Sequence, residues 1–562
     1  MLVYREDRRA VSTAAALRAL IARQHTAECG TPEDALAVLV AAGELEAAIC
    51  DALIGGGDRP DPRSDALRSL SLAAARQYLA ALAGDRAETR ICAIADALLY
   101  DELPAEVELR TSEGYAYYAL FPETYAESAR RFARDLKPRR VCVIGVRSIG
   151  TSLSAVAAAA LQPIADVTSC TVRPRGHPFD RRLQLDPALR DAWRGELQRD
   201  ASFAIVDEGP GLSGSSFASV VSALESIDVP CDRIVLLPSW DPAPERLRSS
   251  AARRIWARHR RYVTSAVECG ITPERAFGVD GSSVDWSGGR WREHVVRATS
   301  CWPAAQPQHE RWKVHVPGER RLLKFCGLGD YGSAAADRAR RMSSIGCARA
   351  GGVRHGFMEL TFVDGRPAAA PFSTHDADIV GRYIGTRSAE FGFEHLTDAA
   401  ALVEMIVTNV HELLDEDVSP AARDRLTALF ARAPAGQIDG RALAHEWIRA
   451  GDGLVKVDAL DHASDHFFPG PQNPAWDLAA ATLELELDDR ATRRMIHTYE
   501  RASGDRECSG RMPAYLLAYA AFRAAYASLA KDALNGTADA ERFDGVLATY
   551  RGHVRRLIPS VL

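Results

Sequence analysis

The chain has 562 residues, 69 Lys and Arg against 75 Asp and Glu, and a formal charge of -6, with 47% hydrophobic and 26% charged residues. That length implies several cores of about 100–200 residues each, the composition excludes a disordered or fibrous chain, and the near balance of charge excludes a global field for nucleic acid or an anionic membrane. No stretch reaches the ~18 uncharged apolar residues of a membrane span, and Met1-Leu2-Val3-Tyr4 does not open a signal peptide, so a cytoplasmic protein is expected.

In chain order, residues 1–107 are rich in Ala and Leu at helical spacing, as in Asp34-Ala35-Leu36-Ala37-Val38-Leu39, and are broken by Gly55-Gly56-Gly57-Asp58-Arg59-Pro60. They predict a helical N-terminal module that carries no chemical motif. From 108 to 240 the pattern changes. Arg140-Val141-Cys142-Val143-Ile144-Gly145 is a short β-branched run that stops at glycine, and a helical stretch follows over 151–161. The unit recurs at Phe203-Ala204-Ile205-Val206, a Gly/Ser loop and a helix, with one more strand at Arg233-Ile234-Val235-Leu236-Leu237. Repetition of this kind predicts a mostly parallel α/β sheet with ligands at the carboxyl ends of its strands. Tyr115, Tyr117 and Tyr118 precede the sheet as strand aromatics or as a platform for a planar acceptor.

Residues 241–305, with Trp256, Trp286, Trp291 and little periodicity, read as a connector. Beyond it come candidate strands at Trp312-Lys313-Val314-His315-Val316 and Arg321-Leu322-Leu323-Lys324-Phe325, a small β-containing lobe over 306–375, and a large helical lobe over 376–562. The eleven cysteines contain no C-x-x-C pair, which argues against a zinc cage or a disulfide framework; Cys326, next to Phe325, is read as packing.

Chemistry concentrates first in Asp207-Glu208-Gly209-Pro210-Gly211-Leu212-Ser213-Gly214-Ser215-Ser216. Carboxylates at a strand end can accept hydrogen bonds from vicinal hydroxyls, while glycine-exposed amides, serine hydroxyls and a helix N-terminus hold a phosphate. The run resembles the signature of type I phosphoribosyltransferases at Asp207, Glu208, Ser213, Gly214 and Ser215, and departs from it at Gly209-Pro210-Gly211. Gly145-Val146-Arg147-Ser148-Ile149-Gly150 is similar to that family's pyrophosphate loop. The basic segment from Arg173 and Arg175 to Arg181 and Arg182 stands where the family has a mobile loop, and Pro238-Ser239-Trp240 where it often contacts the acceptor. The resemblance implies phosphoribosyl diphosphate (PRPP) as donor. Asp207 and Glu208 would hold ribose hydroxyls and Mg²⁺; Arg147, Arg173 and Arg175 would meet the charge on departing pyrophosphate; Gly145, Ser148, Gly150, Gly211, Ser213, Gly214, Ser215 and Ser216 would cradle the phosphates. Read without the resemblance, the basic segment is a solvated surface loop.

Residues 312–478 resemble the aminoglycoside-phosphotransferase branch of the protein-kinase-like fold. Lys324 ends an apolar strand, Asp337 follows in a helical stretch, and Phe357-Met358-Glu359-Leu360-Thr361 reads as the strand before an interlobe hinge. Gly453-Leu454-Val455-Lys456-Val457-Asp458 and Asn473-Pro474-Ala475-Trp476-Asp477 match the family's metal-binding strand end and helix start. The resemblance implies ATP held by Lys324 with Asp337 as its partner, Mg²⁺ on Asp458, and Asp477 fixing the catalytic loop. That loop lacks the expected His-Gly-Asp and Asn, so Asp439 is taken as the base, with His445 or Glu446 for the missing Asn. Asp461, His462, Asp465 and His466 form a second group able to bind a divalent metal, or a solvated polar loop.

The expectation is an α/β multidomain, bifunctional small-molecule enzyme: a phosphoribosyltransferase-like domain joined to a bilobal kinase-like α+β domain. The alternatives are a phosphoribosyltransferase regulated by an inactive nucleotide-binding domain, or a non-catalytic sugar-phosphate sensor. A small-molecule acceptor is the expected partner, with no membrane or nucleic acid, and a homodimer is an allowed assembly.

Overall fold

The computed structural model describes all residues except 4–7, 28–29, 86–89, 212, 297, 344, 452, 461, 562 and the side chain of 560. The chain forms two compact units. One comprises Arg8–Ala276 with Gly327–Tyr331, and the other Met1–Asp7 with Phe277–Cys326 and Gly332–Leu562.

The first unit is built on a five-stranded parallel sheet. The β-branched strand Arg140–Val146 is buried along nearly all its length. It pairs with Asp166–Val172 on one side, Val141 opposite Val167, and with Ser202–Val206 on the other, Val141 opposite Ser202. Ile234–Leu237 and Arg260–Arg261 extend the sheet beyond Ser202–Val206. The chain adds a strand to one side of Arg140–Val146, then crosses to the other, so the loops after Val146 and Val206 diverge from neighbouring strand ends at a topological switch point. Helix Gly150–Leu161 is buried at every residue because it is covered twice, by the sheet and by helices Pro32–Ile54 and Pro62–Leu82. The N-terminal helices are therefore a layer of this unit rather than a module apart. Gly43 makes that layer possible: a Cβ there would lie 2.7 Å from the Ser152 Cβ.

The proposed connector is divided as well. Helix Ser250–Arg258 packs the fully buried Trp256 into the core of the parallel-sheet unit, and Arg260–Arg261 supplies its fifth strand. Trp256 is thus packing, and the segment's lack of periodicity reflects short elements rather than a linker.

In the second unit an antiparallel sheet runs in the order Ala350–Arg354, Phe357–Thr361, Arg321–Phe325, Lys313–Val316, Val284–Asp285. Cys326, Met358 and Leu360 pack against Ala335 and Ala339 of helix Asp330–Met342, which accounts for Cys326. A three-stranded sheet of Arg366–Pro367, Trp447–Ala450 and Gly453–Lys456 follows among helices. Helix Thr374–Phe391 opens on a capping box at Ser373 and Asp376, which satisfies end amides reciprocally. The alanine-rich helix Cys508–Ala533 is buried on most sides and carries the core of this region. Residues at the chain start belong here too: Leu2 exchanges hydrogen bonds with the fully buried Asn409, at 2.7 and 2.9 Å. Among the described residues no helix is long and apolar enough to cross a membrane.

Candidate functional site

Two constellations stand out, one in each unit. In the parallel-sheet unit, Asp207 and Glu208 follow strand Ser202–Val206, whose apolar residues drive it into the core and leave the two acids at its carboxyl end. The Tyr125 hydroxyl donates to the Asp207 carbonyl at 2.9 Å, and the Asp207 carboxylate accepts the Glu208 amide at 2.8 Å. Burial pushes the Asp207 carboxyl up to about 6. Burial first, then Glu113 and Asp207, push Glu208 up to about 8. Gly150 closes against this pair, since a Cβ there would stand 3.0 Å from the Val206 carbonyl and 3.3 Å from the Asp207 carboxylate.

Helix Ser215–Glu225 begins just beyond, with Gly214 left-handed at φ 66°. The Ser213 and Ser215 hydroxyls are 3.1 Å apart. The basic segment folds onto them: Arg175 and Arg182 exchange backbone hydrogen bonds, Ser215 donates to the Pro178 carbonyl at 2.6 Å, and Arg181 donates to Ser216 at 3.1 Å. Trp240 donates to the Pro210 carbonyl at 2.9 Å, and the Ser239 amide to Glu208 and Gly209. Leu212 lies outside the described residues, and a side chain at Gly211 would meet nothing.

Two predicted diphosphate contacts, Arg147 and Arg173, are corrected. The Arg147 side chain is fully buried, paired with Asp51 at 2.7 Å and with Asp58, and donates to the Thr171 carbonyl. Arg173 pairs with Asp51, its amide donating to Asp58, and Arg175 reaches Asp51 at 4.0 Å. Burial opposes the Asp51 charge, but Arg173 and Arg147 outweigh it and hold its carboxyl below the usual range. Arg147 and Arg173 join the N-terminal helices to the sheet through Asp51 and Asp58, Arg175 stands at the edge of that group with its side chain 40% exposed, and Arg181 reaches Ser216. Gly145 is likewise a packing glycine, because a Cβ would strike the Ser154 hydroxyl at 2.2 Å. Ser148 takes φ 126° beside it. The tyrosine stretch is a short helix, Glu113–Ala116, with Tyr115 fully buried and bonded to Ser152 at 2.8 Å, so Tyr115 is no stacking platform.

The second unit contains a cavity of about 430 Å³. Lys324 and Asp458 meet on its wall at 2.7 Å, joining strand Arg321–Phe325 to the segment after Gly453–Lys456. Glu446, Asp458 and His462 each offer a ligand atom, all within 4.8 Å of one another. Burial opposes ionisation of Asp458, but Lys324, His462, Lys313 and Lys456 hold its carboxyl well below the usual range. Lys456, predicted only as a strand residue, is buried and bonds Glu446 at 2.9 Å. The strand Phe357–Thr361 brings Leu360 and Thr361, with Phe362 and Val363 after it, to the wall of the same cavity.

Asp337 and Asp439 are corrected. Asp337 is exposed and pairs with Arg340 at 2.8 Å, one helical turn on, so Asp458 rather than Asp337 partners Lys324. Asp439 is buried 3% exposed and is not part of the cavity wall. It accepts from Tyr383 at 2.6 Å and lies 3.4 Å from Lys456 and 3.2 Å from His462. Burial opposes its charge, yet Lys456, His462 and Arg387 hold it far below the carboxylate range, which leaves a poor base facing inward. Asp477 accepts the Asp439 and Gly440 amides, both at 2.8 Å, and so orders the loop as expected. Of the predicted metal group, Asp461 lies outside the described residues, and the His466 ring is tilted against Phe467, centroids 4.1 Å apart. His445 stacks on Trp291 at 5.1 Å, leaving Glu446 to face His462 at 3.3 Å.

No family model and no curated protein matches the chain. Solved structures do. A choline/ethanolamine kinase family protein from Mesorhizobium loti is similar at 15% identity over 45% of this chain and 89% of that one, with a TM-score of 0.31. The choline kinase LicA from Streptococcus pneumoniae is similar at 13% identity over 43% and 89%, TM-score 0.30. The GDP complex of aminoglycoside 2'-phosphotransferase-IIIa is similar at 12% identity over 44% and 89%, TM-score 0.29.

Proposed function

We propose that the second unit transfers a phosphoryl group from a nucleoside triphosphate to a small molecule bound in its cavity. The observation that carries this reading is the Lys324–Asp458 pair on the cavity wall with Glu446 and His462 beside it. A strand-borne ammonium neutralises phosphate oxygens, and a carboxylate next to it turns toward a divalent cation. Two carboxylates and an imidazole fit such a cation, and the nitrogen favours Mn²⁺ or another transition metal over Mg²⁺. Bound there, the cation would neutralise charge on the phosphates. Lys456 holds Glu446 in place, and Asp477 orders the loop before it, so the cluster is positioned before ligand arrives. Because phosphoryl transfer has a loose transition state, positioning and charge neutralisation matter more than a strong base.

The test is phosphate transfer and ATP binding in Lys324→Ala and Asp458→Asn. Each is expected to lose at least about 100-fold in transfer, the scale of one electrostatic contact to the transition state. Wild-type protein that binds no ATP with Mg²⁺ or Mn²⁺ overturns the reading.

A second reading is favoured by one observation, the placing of Asp207 and Glu208 at the switch point between Gly150 and the helix that opens at Gly214 and Ser215. We propose that this unit takes PRPP or a related sugar diphosphate. The serines and helix amides would hold its terminal phosphate, the acids its hydroxyls, and Arg181 the departing charge. Pyrophosphate release with a panel of acceptors separates an enzyme from a sensor, and Asp207→Asn combined with Glu208→Gln is expected to abolish both binding and release. Unchanged PRPP affinity in that variant sinks this reading.

A further inference from the structure

Arg441 enters the cavity from the loop that also carries Glu446, and its guanidinium lies over the Tyr526 ring at 5.0 Å. Among the described residues no carboxylate stands within the 4.0 Å of an ion pair from it. Its neighbours on the wall differ. Arg523 is neutralised by Glu484 at 2.7 Å, and Lys313 by Glu310 at 3.3 Å. The Tyr526 hydroxyl, on helix Cys508–Ala533, lies 3.0 Å from the His309 ring nitrogen and within reach of Arg441. Burial pushes His309 down to about 3, so the ring is neutral and adds no second cation. Asp465 and Glu446 favour its charge only from beyond ion-pair distance, so the half-buried Arg441 guanidinium, with no carboxylate in direct contact, keeps its hydrogen-bonding edge open to an anionic ligand.

We infer that the acceptor phosphorylated in this cavity carries its own anionic group, a phosphate or a carboxylate, which docks on Arg441 with Tyr526 as a further donor. This rests on the phosphotransfer reading above. The nucleotide phosphates already have Lys324 and the Glu446–Asp458–His462 cluster, while Arg441 shares the wall with Tyr526 of helix Cys508–Ala533. Asp465, also on the wall, is occupied by the Phe467 amide at 2.9 Å and by His466 at 3.5 Å.

The experiment measures, by calorimetry on the full chain with saturating ADP and Mn²⁺, the binding of matched probes. These are ribose against ribose 5-phosphate, glycerol against glycerol 3-phosphate, and glucose against gluconate and glucose 6-phosphate. At least one anionic member is expected to bind about 10- to 100-fold more tightly than its neutral counterpart, the range for a hydrogen bond to a charged group. Arg441→Ala should erase that preference, Tyr526→Phe should weaken it, and Arg441→Lys should retain part of it for phosphate. The phosphate and carboxylate arms show which anion is preferred. Equal binding of all neutral and anionic probes by wild-type protein overturns the inference without reference to any variant. So does a preference that survives Arg441→Ala, or an Arg441→Ala protein whose only loss is ATP affinity, which would make Arg441 a nucleotide residue. Absence of ADP and ATP binding would instead sink the phosphotransfer reading, while an Arg441-dependent anion preference would still register.

Discussion

Glu208 and Asp207 hold their protons more tightly in the folded unit than ordinary carboxyls do, with values pushed up to about 8 and about 6 by burial, aided at Glu208 by Glu113 and Asp207. An acid whose folded value is raised binds more protons folded than unfolded, so the stabilisation is complete below the unfolded value and is lost as pH climbs through the folded one. Stability of the ligand-free parallel-sheet unit should therefore fall from about pH 4.5 to 8, with a slope near 1.4 kcal/mol per pH unit for each proton released. Glu208→Gln removes the largest titration. Its denaturation midpoint is expected to gain on wild type between pH 6 and 8.5, and parallel curves would show that Glu208 is not the group concerned. At Asp439 the expectation is the reverse of a catalytic phenotype. Removing one charge from its buried set with Lys456 and His462 should cost about 3–5 kcal/mol of stability in Asp439→Asn, read as a lower urea midpoint. A variant of wild-type stability that has lost only phosphate transfer would restore Asp439 as the base. Lys324 and Asp458 are singled out in the sequence by a family resemblance, each at or just after the end of an apolar strand, and the structure brings the two together at 2.7 Å. The destination of Arg147 was not legible there, since its partners Asp51 and Asp58 lie far upstream in a stretch without a motif.

The strand-loop-helix repeats were readable as elements because their β-branched runs admit few alternatives, and the order of pairing follows from parallel connections crossing the sheet. What those helices rest on was not readable. The N-terminal helices show a core-facing pattern without saying whose core, and the close approach of Gly43 to Ser152 is one of the contacts that lay Pro32–Ile54 on Gly150–Leu161. The stretch 241–305 carries no readable pattern for a related reason, that two-residue strands such as Arg260–Arg261 and Val284–Asp285 are too short for any periodicity. Gly43→Ala tests the element directly. With Ser152 backbone atoms at 3.2 Å as well as its side chain, the helices must separate, at a cost of about 1–3 kcal/mol typical of overpacking. Urea unfolding should show the loss, together with faster amide exchange in 150–161. Unchanged stability would mean the two helices part without penalty and are not a packed layer.

At the scale of the whole chain, the two units have separate cores, one around the parallel sheet and one around helix Cys508–Ala533, and neither is a single continuous stretch. Met1–Asp7 belongs with residues hundreds of positions later, and Gly327–Tyr331 returns to the parallel-sheet unit, where the Leu328 amide donates to the Tyr115 carbonyl at 3.0 Å. Such interleaving explains why linear boundaries at 107, 240 and 305 miss the division. Separate cores with separate candidate sites lead to a prediction about ligands. A ligand that binds only the folded state stabilises the unit it occupies by about 2.7 kcal/mol at a hundredfold excess over its dissociation constant. ATP with Mn²⁺ should therefore slow amide exchange mainly in 277–326 and 332–562, most strongly in Arg321–Phe325 and Gly453–Lys456, the strands that lead to Lys324 and Asp458. PRPP with a divalent cation should slow it mainly in 140–225, around Ser202–Val206 and the start of Ser215–Glu225. Hydrogen exchange followed by mass spectrometry on the full chain reads both patterns in one experiment. Protection of the parallel-sheet unit by ATP alone would relocate the nucleotide site, and protection of neither unit by PRPP would remove the sugar-diphosphate reading while leaving phosphotransfer intact.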